Sequence, residues 1–281
     1  MRMFLKSMCG LALAGLLLGG PATTAFAQSV SKQLSGESVL ETIKKRGTLK
    51  AGVASFVPWV MRAKDGSLIG FEIDVAKKVA KDMDVDIEFV PTAFSGIIAA
   101  LIAGEFDIIM TGISLVSKRN LTVNFSNPYN WGGFGMAANK KNTAGWTKAD
   151  FNKPEIIFTI RRGSNDSIFS VKKVAPKATI RQFEDDSQAI QDVLNGTAHA
   201  FVTAEPKPTN YALDYPDQIW LPLGNEKLLR WPSAFAVRKG DPDILNFLNN
   251  WITLVTERGF IEERHNYWFR TKDWKDLVAA K

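Results

Sequence analysis

The feature that most restricts this chain is an alternation beginning at Ser38, where short apolar runs take turns with runs of helical period, separated by glycines and turn residues. Val39, Leu40 and Ile43 share one helix face behind a Ser38/Glu41 capping box. Lys44 to Arg46 stand at that helix's negative end, and Gly47 stops it before a strand from Thr48 to Val53. After the Asp65-Gly66 turn, Phe71, Val75, Ala76, Val79 and Met83 recur at helical spacing, and Ile87 to Val90 is the next strand. Ser95 caps a third helix through Ile97, Ile98, Leu101 and Ile102, which Gly104 ends. Ile108 to Thr111 follows as an apolar strand of the kind buried on both faces in parallel sheets. This order predicts a doubly wound α/β lobe. At 281 residues and 46% hydrophobic, the chain can fill one large or two moderate cores.

The same unit returns 92 residues later. The run from Ser95 through Gly104 to Thr111 aligns with that from Ser187 through Gly196 to Thr203, sharing the cap, the apolar rhythm, the stop glycine and the last threonine. Two lobes of like architecture account for this, although a shared helix-glycine-strand rhythm would produce it too. Turn residues from Asn127 to Gly133 suit a crossover between lobes. The last strong helix starts at Asp241-Pro242, presents Leu245, Leu248, Ile252 and Val255, and ends at Gly259; a further one runs to about Phe269.

The first 27 residues read as a leader. Arg2 and Lys6 form a positive start, Leu11 to Gly20 an apolar stretch shorter than the roughly 18 residues of a membrane span, and Ala25-Phe26-Ala27 a cleavage site. Cys9, the single cysteine, falls inside it, so the mature chain is expected to carry none and to rely on its core in a bacterial periplasm. Removing Arg2 and Lys6 from 35 basic and 29 acidic residues leaves 33 against 29, too mild an excess for nucleic acid. Thiol chemistry is excluded in such a chain, and His199 and His265 do not make a metal cluster. Gly133 to Ala138 imitates a dinucleotide fingerprint without its acidic partner or its helix, and reads as a hinge strand. No cofactor is expected.

The apolar strand opens into Thr111-Gly112-Ile113-Ser114 and, five residues past the serine, Arg119. Hydroxyls, a bare backbone and an arginine at the carboxyl end of a parallel strand can hold a carboxylate.

At this point the chain resembles a known family. Gly47–Val53, Gly70–Ala76, Phe94–Ile98, Phe106–Ser114 with Arg119, Phe125–Tyr129 and Val237–Gly240 look like blocks of the periplasmic solute-binding proteins of polar amino-acid ABC transporters, over roughly residues 38 to 270. The resemblance implies an α/β, two-lobed periplasmic binding protein fold of type II. Each lobe would be a mostly parallel sheet flanked by helices, and the lobes would be joined by two hinge strands and close on a ligand. The implied division is a signal peptide over 1–27, one lobe from 28–130 and 232–281, a second over 134–229, and hinges near 131–133 and 230–231.

The implied function is capture of an amino acid or related small organic acid by a monomer that delivers it to an inner-membrane ABC permease, without catalysis. By the same resemblance Arg119 grips the ligand carboxylate beside Ser114 and Thr111, Gly112 meets its amine, and Phe56 and Phe94 sandwich its apolar body. In the second lobe Arg161, Ser164 and Asn165 belong to a loop at a helix start that favours an anion.

Two departures stand out. Where the family has an aspartate for the ligand's ammonium group, this chain has Ala204, so either Glu205 takes over with a one-residue shift or the ligand lacks an amine and Lys207 with Arg161 favours a second anionic group. The threonine that caps the helix before Arg119 is replaced by Val116, leaving Ser117 to cap. The tail from Asn250 to Trp268 and the Gly112-Ile113-Ser114 segment are also similar to cyclohexadienyl dehydratases, so the alternative is a cyclohexadienyl or arogenate dehydratase-like enzyme on the same fold. The acidic glutamate of those enzymes falls at Lys207, a cation at neutral pH, which counts against it, while the nearby Glu205 keeps it open.

Overall fold

The computed structural model describes residues 38–224, 226–271 and 273–278. The expected leader and Cys9 lie outside the described residues. The strands are β1 (Thr48–Val53), β2 (Met61–Arg62), β3 (Leu68–Ile69), β4 (Asp86–Pro91), β5 (Ile108–Ile109), β6 (Asn124–Phe125), β7 (Asn130–Asn139), β8 (Ile157–Arg161), β9 (Thr179–Phe183), β10 (Ala200–Ala204), β11 (Ile219–Trp220), β12 (Leu229–Ser233) and β13 (Ala236–Val237). One sheet has the order β4-β1-β5-β13-β6 and another the order β11-β7-β10-β8-β9, with β12 along β7; β2 and β3 form a small hairpin. In each large sheet three strands run parallel, joined by βα crossovers, and antiparallel strands extend the far side.

Local signals set most boundaries. Ser38 caps the helix Val39–Arg46 by accepting from Leu40 N, and Gly47 ends it in the left-handed region at φ 71°. Glu41 does not close the expected box: it pairs with Lys44 at 3.3 Å, while the Val39 amide is taken by Asp241. Asp241 also caps the helix Pro242–Glu257, so one carboxylate joins the starts of two helices that lie about two hundred residues apart in sequence. Ser95 is not a cap either. The helix Ile97–Ala103 begins at Gly96 after a short 3-10 turn, and Ser95 Oγ donates to Glu184 at 3.1 Å. In the second copy of the unit Asp185, not Ser187, caps the helix Asp186–Leu194.

The apolar interior matches the strand pattern. Ile108, Ile109, Phe158, Phe201 and Val202 are fully buried, as strands covered on both faces demand. A cluster around Leu101, Phe106 and Ile109 fills one side of the first sheet, and a cluster around Ile190, Val193 and Phe201 the equivalent side of the second. His199 is structural: its Nδ1 accepts from Ile157 N at 3.1 Å and its ring stacks near Trp146.

Candidate ligand-binding site

The carboxyl ends of both parallel strand sets face a narrow cavity lined by residues of both sheets. On the first side, β5 delivers Thr111, whose hydroxyl donates to Ala54 O at 3.0 Å and accepts from Ala54 N at 2.9 Å, fixing the end of β5 to the end of β1. Gly112 then turns at φ +65°, with Trp59 so close that an added Cβ would lie 2.7 Å from Cδ1; no other residue fits. Behind Gly112, Glu72 is fully buried and accepts a 2.7 Å hydrogen bond from the Tyr129 hydroxyl. Burial pushes the Glu72 carboxyl up to about 7, against the opposing pull of the Tyr129 hydroxyl and the Gly112 amide.

A four-residue helical turn, Ser117–Asn120, brings Arg119 back over this loop; Ser117, expected as its cap, is its first residue. Arg119 is 6% exposed. Its Nη1 donates to Ser114 O at 3.1 Å, and its Nη2 crosses to the second side to meet Gly163 O at 2.9 Å. Asp166 stands 3.8 Å from Nη1. Burial lowers the Arg119 pKa from its ordinary value and Asp166 opposes that, so the guanidinium keeps its charge.

The second side mirrors this reach. Arg161 ends β8, is buried, and sends Nη1 to Ser55 O at 3.1 Å. Its guanidinium lies 4.0 Å from the Phe94 ring centre and 5.1 Å from that of Phe56. Burial, the largest influence, pushes its pKa down to about 10, and Arg119 acts in the same direction, while Asp186 and Asp185 oppose it. Gly163 follows at φ +79°, where an added Cβ would approach Ser95 Cα to 3.2 Å. Ser164 caps the helix Asn165–Val174. Thr203 and Ala204, at the end of β10, complete the lining together with Phe134 and Trp231.

Of the residues expected from sequence, Phe56, Phe94, Thr111, Gly112, Ser114, Arg119, Arg161 and Ser164 line the cavity. Asn165 lies in a neighbouring groove with Lys118 and Thr122. Lys207 stands beside the site: its Nζ is 4.2 Å from the Phe56 ring centre and 2.5 Å from Asp186 Oδ2. Glu205 is turned elsewhere, with Lys227 Nζ at 3.1 Å and the Thr209 hydroxyl donating to it at 2.8 Å. It therefore does not occupy the place of the missing aspartate. Phe56 and Phe94 flank Arg161, the protein's own cation, where sequence reasoning put the ligand's body.

Asp166, Asp186, Phe134 and Trp231 were not foreseen. Asp166 is one residue beyond the loop that was recognised, and Asp186 holds the repeat position of Phe94, so both had a signal. Phe134 and Trp231 reach the cavity only because β7 and β12 pair across nearly a hundred residues.

Residues 39–271 match the family model of the bacterial extracellular solute-binding proteins, family 3. The chain belongs to that family. Among its relatives, the L-cystine-binding protein TcyJ of Escherichia coli K12 is 26% identical over 254 residues, covering 90% of this chain and 94% of its own. A cyclohexadienyl dehydratase of Pseudomonas aeruginosa is 22% identical over 249 residues, covering 88% of this chain and 91% of its own. The crystal structure of an ancestral amino acid-binding protein, a precursor of cyclohexadienyl dehydratase, is 37% identical with a TM-score of 0.73, over 83% of this chain and 99% of its own. The fold is thus that of the two-lobed amino-acid-binding proteins, and solute capture is the function that family membership carries.

Proposed function

We propose that this chain binds an amino acid or related small organic acid in the cavity between the two sheets and delivers it to an ABC permease, without turning it over. Residues 28–130 and 232–281 make one lobe and 134–229 the other, and the mature chain works in the periplasm as a monomer after loss of residues 1–27. The observation that carries the reading is the pair of buried arginines, each rooted at one sheet and bonded to a backbone carbonyl of the other across the cavity. A carboxylate entering there meets charged, desolvated donors on both sides, of which Arg119 still has three N–H groups beyond its two carbonyl bonds.

The enzyme reading draws on the dehydratase relative. Against it, the residue in the place of the general acid is Lys207, held by the buried Asp186. A thermal-shift screen of amino acids and small organic acids tests the proposal: a ligand should raise Tm by mass action and then shrink the radius of gyration as the lobes close. Steady consumption of prephenate or arogenate would decide for the enzyme.

A further inference from the structure

We infer that the cavity selects a carboxylic acid that carries no ammonium group. The inference rests on the reading of this cavity as the ligand site and concerns its charge. An α-amino acid brings a carboxylate and an ammonium together, and each must find a counter-charge when water is excluded.

The carboxylate is well provided for by Arg119 and Arg161. The ammonium is not. Among the described residues the one carboxylate that lines the cavity is Asp166, and it faces Arg119. Asp186 is committed to Lys207 at 2.5 Å and lies 3.5 Å from the Thr203 hydroxyl. Glu205 points to Lys227 and Thr209, and Glu72 is sealed behind Gly112 with Tyr129. Ala204, at the end of β10, contributes a methyl group to the lining.

Beyond carboxylates and neutral oxygen acceptors, a cation in a dry site can lie on the face of an aromatic ring. Of the four rings that line the cavity, Phe94 faces Arg161, Phe56 faces Arg161 and Lys207, and Phe134 and Trp231 meet each other edge to face, with Trp231 also tilted against Trp59. An ammonium or a cationic side chain would have to displace these groups or sit among three like charges. Among the buried charges, Arg119, Arg161 and Lys207 stand against Asp166 and Asp186, an excess of one, and Asp185, which also acts on Arg161, is exposed to solvent. A monocarboxylate neutralises that excess; a zwitterion leaves it.

Calorimetric titration with monocarboxylate pairs that differ only by the amino group tests this: 3-phenylpropanoate and L-phenylalanine, 4-methylpentanoate and L-leucine, pentanoate and L-norvaline. At least one acid should bind, and at least about tenfold more tightly than its amino partner. Tighter binding of the amino acids overturns the inference and leaves the solute-binding reading standing. If no member of any pair binds, the inference falls, and the broader thermal-shift screen decides whether the cavity reading falls with it. Ala204→Asp, confirmed as folded by circular dichroism, should weaken the acid by about tenfold or more and strengthen its amino partner. Unchanged acid binding in Ala204→Asp would also overturn the inference.

Discussion

Phe94 and Asp186 hold the same place in the two copies of the helix-glycine-strand unit, one ahead of Thr111 and the other ahead of Thr203, yet they serve the site by different chemistry. Phe94 offers a ring face to Arg161. Asp186 offers a carboxylate to Lys207 and receives the Thr203 hydroxyl. The threonines differ likewise: Thr111 ties two strand ends of its own sheet through backbone atoms, while Thr203 helps to hold a buried ion pair. A shared backbone plan thus fixes where side chains arrive and leaves their chemistry open. The first wall is neutral except for Arg119, whereas the second is a network of charges.

The sharpest way to break this contrast is at the ion pair. Asp186→Ala leaves the buried Lys207 ammonium short of its partner, and thermal or denaturant unfolding should show a loss of about 3–5 kcal/mol. Replacing the pair together by Leu and Met should recover most of that, since the charges then disappear as a set. If the single variant is neutral, the second wall is not the charged network described here.

Next in size is the anchor. Arg119→Ala should weaken binding of the acid found by titration by about 2–5 kcal/mol, and Arg119→Lys should not restore it, because an ammonium lacks the planar fork. A larger loss in Arg161→Ala would move the anchor to the other wall.

The smallest expected effect concerns Glu72, whose folded-state pKa of about 7 lies above its ordinary 4.5. The folded chain therefore holds that proton more tightly, and the contribution is complete below about 4.5 and lost as pH rises through about 7. Denaturation of Glu72→Gln against the parent at pH 5 and 8 should show the parent losing about 2–3 kcal/mol more over that interval. Equal slopes would mean that Glu72 is charged throughout.

Much of the first wall was legible because its parts are close in sequence. Thr111, Gly112, Ser114 and Arg119 span nine positions at the end of one apolar strand, and periodicity alone places that end at the mouth of a sheet. The second wall depends on partners far apart, such as Arg161 with Ser55 and Trp231 with Gly132, which no local pattern encodes. The caps show the same limit: Ser95 and Ser187 had the right residue type, but competition from Glu184 and Asp185 decided their roles. Glu205 was misplaced by one residue's worth of direction, since successive side chains at a strand end point opposite ways.

All the strands of the second sheet, from β7 to β12, come from one uninterrupted stretch, and its first and last strands are hydrogen-bonded to each other, Gly132 opposite Trp231. Such partners lie about 5 Å apart, so the stretch behaves as a cassette whose two ends already touch. It can be lifted out, closed with a short linker, or exchanged for the matching piece of a relative, and specificity held on that side would travel with it as a single transplantable segment.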